Sequence, residues 1–123
     1  MKIRIKGNSI RIRLTRTEVA RFGEAGLLEE QTEFGHSEFK YVLKNVPGPG
    51  ELSAEFTSGT MIVFVPEHIT REWVSTDIIG FEHNMDLGNG KQLFLLIEKD
   101  FKCLDKTSED QSDNFEHPGT KCA

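Results

Sequence analysis

The sequence predicts a mainly β, α+β domain built from two ββαββ pseudo-repeats that close on each other as a pseudo-dimeric barrel. Three observations carry this expectation. Short runs of strict apolar/polar alternation recur along the chain, bounded by turns rich in Gly, Asn and Ser. A short helix signal interrupts these runs twice. The whole order of signals then starts again after a break of two prolines and two glycines at 46–50.

Each element has a local reason. Ile3 and Ile5, then Ile10, Ile12 and Leu14, alternate with cations, which predicts two half-buried strands joined by a tight turn at Gly7-Asn8. Thr15 and Glu18 have capping-box spacing, so a helix begins there. Val19 and Phe22 give its apolar stripe, and Gly23 and Gly26 are expected to end it. Residues 27–34 and 39–43 read as a second hairpin turning at Gly35-His36-Ser37. Beyond the break, 52–57 and 61–65 flank a Ser58-Gly59-Thr60 turn, and Pro66 opens a second helix with Ile69 and Trp73 on one face. Residues 78–83 and 92–97 complete the set.

Superposing the halves places Gly7-Asn8-Ser9 on Ser58-Gly59-Thr60, Thr15 on Pro66, Phe22 on Trp73 and Leu27 on Ile78. At the end of the repeat, Phe39 falls on Phe94 and Lys44 on Lys99. One such unit cannot bury both faces of its own sheet, so two copies must close on each other. The expected organisation is one domain over 1–123. It consists of a first unit at 1–45, a linker at 46–50, a second unit at 51–99 and an irregular acidic tail at 100–123.

Composition bounds the function. The chain has 123 residues, 37% hydrophobic and 28% charged, with a net charge of −5. That suits one globular domain and argues against indiscriminate nucleic-acid binding by the whole surface. No apolar run approaches membrane-spanning length, and the start lacks a signal peptide's apolar stretch, so a cytoplasmic location is expected. Charge is unevenly spread. Residues 1–21 hold seven Lys/Arg against Glu18, whereas 98–116 hold seven Asp/Glu against three Lys.

Gly7-Asn8-Ser9-Ile10-Arg11-Ile12-Arg13-Leu14-Thr15 resembles the Gly-Asn-Ser turn and following strand of the AbrB-like regulators and MazE-type antitoxins. The resemblance implies two interlocked ββαββ units, here fused in one chain and closing as a swapped-hairpin-like barrel, with basic residues of the first hairpin contacting DNA. On this chain those residues are Arg4, Lys6, Asn8, Arg11 and Arg13. The second half has Pro66 at that family's proline position, but Ile62 and Phe64 stand where Arg11 and Arg13 stand in the first. Only one half therefore offers a cationic hairpin. Over its whole length the chain also resembles a family of small bacterial proteins of unknown function, in its Lys-Gly-Asn-Ser start, its Phe-Val-Pro segment and its Glu-Lys-Asp-Phe-Lys-Cys stretch.

By period two, Lys2, Arg4, Lys6, Arg11 and Arg13 share one face, an arrangement suited to phosphate contacts or to neutralisation by the chain's own acidic tail. Cys103, Asp105, His117 and Cys122 supply a donor set that zinc accepts, although without a Cys-x2-Cys knuckle. No cofactor is otherwise implied. His36, His68 and His83 have no nucleophile at a suggestive spacing, and Glu29 and Glu30 fall on opposite faces of one strand, so no enzyme is expected. The expected function is a small non-enzymatic binding module that contacts DNA through the first hairpin. The alternative is a scaffold that has lost DNA binding and uses the Cys/His/Asp tail for metal or a protein partner. Because the pseudo-dimer lies within one chain, a monomer suffices.

Overall fold

The computed structural model describes residues 1–100. The acidic tail expected at 101–123 and the candidate metal ligands Cys103, Asp105, His117 and Cys122 lie outside the described residues. The first half runs β1 (Lys2–Lys6), β2 (Ser9–Leu14), α1 (Arg16–Ala25), β3 (Leu27–Glu33) and β4 (Glu38–Val46). The second runs β5 (Ser53–Thr57), β6 (Thr60–Pro66), α2 (Glu67–Ser75), β7 (Gly80–Gly88) and β8 (Lys91–Lys99). Both halves are therefore ββαββ, as the periodicity predicts. At α1 the capping box forms in full: the Glu18 amide donates to Thr15 Oγ1 at 3.3 Å and the Thr15 amide donates to Glu18 Oε1 at 2.9 Å. The helix ends at Gly26, whose N–H donates to the Phe22 carbonyl. Pro66 caps α2 by position only, without a side-chain hydrogen bond.

The halves exchange hairpins. One sheet has the order β1-β2-β8-β7 and the other β3-β4-β6-β5, so each contains one hairpin from each half. The two central contacts are parallel: β2 runs beside β8 and β6 beside β4. Pairing of strands distant in sequence sets the inner face of each hairpin toward the other half, which neither could achieve alone.

The expected barrel closure is not what the described residues show. They form two separate four-stranded sheets, because β1 and β3 share no ladder, nor do β5 and β7. Side chains and isolated groups bridge these seams instead. On one side the Met1 amine bonds Glu18 and Glu30; on the other the Ala54 N–H points at Met85 Sδ, 3.4 Å away.

The core follows an internal pseudo-two-fold axis. Ile12 lies beside Ile97 and Val63 beside Leu43, so these pairs are counterparts. Near the helix end Phe22 and Trp73, both fully buried, meet edge to face with centroids 6.4 Å apart. Their predicted equivalence and core role both hold. Trp73 Nε1 donates to the Ile79 carbonyl at 2.9 Å, which satisfies the buried indole.

Several local expectations are corrected. Gly23 lies inside α1 rather than ending it, and it lets the helices cross closely, since a Cβ there would fall 2.8 Å from Val74 Cγ1. Strand β4 continues through Val46, which the expected linker included, because β6 keeps pairing with it as far as Pro66. Strand β7 begins at Gly80 rather than 78, and the Ile79 carbonyl just before it accepts from both Trp73 Nε1 and the Lys99 N–H. The alignment of the later strands also slips. Lys44, beside Phe64, is the counterpart of Glu98, beside Arg13, and Phe39 is that of Leu93; Leu27 matches Gly80 rather than Ile78. A one-residue slip changes which face a side chain occupies, so register set by the ladders overrides a guess from residue type.

Candidate functional site

The first candidate surface is the outer face of the β1–β2 hairpin. Cross-strand pairing sets Lys2 opposite Arg13, Arg4 opposite Arg11 and Lys6 opposite Ser9, while Ile3 faces Ile12 and Ile5 faces Ile10 on the inside. All five cations thus share one face. Like charges directly opposite each other are destabilising, so this arrangement requires anions.

The neighbouring strand supplies one. Because β2 and β8 are parallel, Glu98 lands beside Arg13. Its Oε1 accepts from Arg13 Nε at 2.6 Å and lies 3.2 Å from Arg11 Nε. Glu98 is only 16% exposed, so the clamp is shielded from salt more than a surface pair would be. Lys2 Nζ pairs with Asp100 Oδ2 at 3.0 Å. Among the described residues Lys6 makes no ion pair. Asn8 is structural as well as exposed in position: its Nδ2 donates to the Gln92 carbonyl at 2.7 Å, and its own carbonyl accepts from the Phe94 N–H. It ties the first turn to the start of β8.

The second candidate was not legible from motifs. At the end of the sandwich away from the helices, an apolar cleft of about 440 Å³ opens between the sheets. Ile5 and Ile10 line it from one sheet with Leu87 and Leu93, and Phe39, Phe56 and Met61 line it from the other. Phe39 stacks edge to face on Phe56 and tilts against Tyr41, holding that wall in place. The only signal available beforehand was Phe56, a large aromatic beside a turn at the position matching Ile5.

Elsewhere, His68 and His83 take structural positions. His68 Nε2 bonds the Gly50 carbonyl at 2.8 Å, and His83 lies on the inner side of β7 opposite Leu95. Among the described residues no group of three or more His, Cys, Asp or Glu could hold a metal ion. No helix among them is long and apolar enough to cross a membrane.

The class defined by this geometry is a mainly β, α+β domain of two hairpin-exchanging halves, with one charged outer face and one apolar end. Residues 1–119 match the family of unknown function DUF7009, and the chain belongs to it. No match was found among curated proteins or among solved structures.

Proposed function

We propose that the chain is a non-enzymatic binding module of the swapped-hairpin, AbrB-like kind, and that it contacts the phosphate backbone of nucleic acid through Arg4, Lys6, Arg11 and Arg13. The observation that carries this reading is the row of like charges set directly across β1 and β2, which gains stability from any anion that approaches it. Asn8 positions the turn that presents Lys6. Glu98 acts as an internal competitor for Arg11 and Arg13, so binding is modest and sensitive to salt.

Fluorescence anisotropy with duplex DNA at stepped salt concentrations tests this. The expected slope of log affinity against log salt is about −3 to −4, as for roughly four phosphate contacts. Arg4→Glu with Lys6→Glu abolishes binding, and Glu98→Gln strengthens it severalfold by releasing the two arginines. Binding that ignores both changes would sink the proposal.

The Glu98 clamp also favours a second reading, in which the scaffold has lost DNA binding and engages a metal or protein partner. Here Cys103, Asp105, His117 and Cys122 remain the proposed zinc donors. Metal analysis of protein purified without chelator, beside Cys103→Ser, separates the two: stoichiometric zinc lost in the variant, with no DNA binding, selects the second.

A further inference from the structure

We propose that two copies of this chain associate end to end through the cleft end of the sandwich. This goes beyond the nucleic-acid reading and rests on the apolar cleft, with Lys6 the one residue common to both. The cleft lies across the internal pseudo-two-fold axis, because its lining comes in counterpart pairs: Ile5 with Phe56, Ile10 with Met61, and Leu93 with Phe39. Burial is incomplete there. Ile5 is 57% exposed, Phe56 66%, Leu87 47% and Phe34, in the β3–β4 turn, 65%. These are four of the six exposed large apolar side chains among the described residues, gathered at one end. Ile5, Phe56 and Leu87 line the cleft itself, and an exposed apolar surface of this kind marks an interaction site.

Charge around the cleft selects the partner. On the β1-β2-β8-β7 sheet the rim carries Lys6 and Lys91 against Asp86. On the β3-β4-β6-β5 sheet it carries Glu33, Glu38 and Glu55 against Lys40. One lip is net positive and the other net negative. A second copy turned by 180° sets each positive lip over the partner's negative lip while the apolar centres meet, the self-complementary geometry of an isologous two-fold contact. A purely apolar small molecule would draw nothing from this division of charge.

Sedimentation of the full chain from micromolar to several hundred micromolar tests the proposal at low and high salt. The expected result is a monomer–dimer equilibrium weakened by salt. Phe56→Glu, at an exposed site, gives a folded monomer, checked by the near-ultraviolet signal of buried Trp73. Lys6→Glu with Lys91→Glu weakens association by about tenfold or more, the penalty of facing like charges. Adding Glu33→Lys and Glu38→Lys to the same chain restores it. A wild-type chain that is monomeric throughout, or a dimer indifferent to Phe56→Glu, overturns the proposal. A monomer that takes up a fatty-acid probe in the cleft does so too, and assigns the site to a ligand. DNA affinity, read at Arg4 and Glu98, fails or survives independently.

Discussion

The two halves of the chain are alike inside and unlike outside. Phe22 and Trp73 fill matching places in the core, and Ile12 and Val63 do the same in the sheets. Their outer faces diverge: Arg13 beside Glu98 becomes Phe64 beside Lys44, and Arg11 beside Leu96 becomes Ile62 beside Val42. A pseudo-two-fold fold constrains only the side chains that the two halves must pack against each other. Residues facing solvent are released from that constraint, so function specific to this chain is to be sought where the symmetry breaks.

If the cores are equivalent, Phe22→Ala and Trp73→Ala each cost about 3–5 kcal/mol, because each leaves a cavity at the helix crossing. Chemical denaturation measures both, and a cost confined to one helix would break the equivalence. The next effect separates counterparts that differ. A Cβ on Gly80 would lie 2.2 Å from the Ile97 carbonyl oxygen, so Gly80→Ala forces β7 away from β8 and costs about 1–3 kcal/mol. Leu27, its counterpart, is largely exposed, and Leu27→Ala changes stability by about 0.5 kcal/mol or less.

The smallest effect distinguishes the helix starts. Burial alone raises the Glu18 pKa, but hydrogen bonds from the Met1 amine and Thr15 outweigh it and hold the carboxyl below its ordinary 4.5. Burial likewise lowers the Met1 amine pKa, and bonds to Glu18 and Glu30 outweigh it, raising the amine above 8.0. The carboxylate's contribution is present above 4.5 and is lost as pH falls through the depressed value. The amine's contribution is full below 8.0 and is lost as pH rises through the raised value. Thermal unfolding therefore has a plateau between these limits that Glu18→Gln lowers and flattens. The second helix has no such pair, since its start at Pro66 lacks a side-chain cap.

Much of the local structure was legible because it depends on near neighbours. The Thr15/Glu18 cap, the alternation in β1 and β2, and the matched aromatics of the helices all follow from spacing. The shared face of Arg4, Lys6, Arg11 and Arg13 was legible for the same reason. What the arginines touch was not. Glu98 reaches them only because β8 runs parallel to β2, and no spacing along the chain fixes that register. The cleft was hidden likewise, since Ile5 and Phe56 read as ordinary strand residues until the sheets are seen to part around them.

By itself, then, the sequence determined the ββαββ repeat, the helix starts and the faces of the first hairpin, through periodicity and capping that act over a few residues. Only the tertiary structure decided that the halves exchange hairpins into two sheets rather than a closed barrel. It also decided that Glu98 clamps Arg11 and Arg13, and that Ile5, Phe56 and Leu87 line one open cleft. Those outcomes depend on strand pairing between distant segments, where burial of the whole inner surface, rather than any local preference, selects the register.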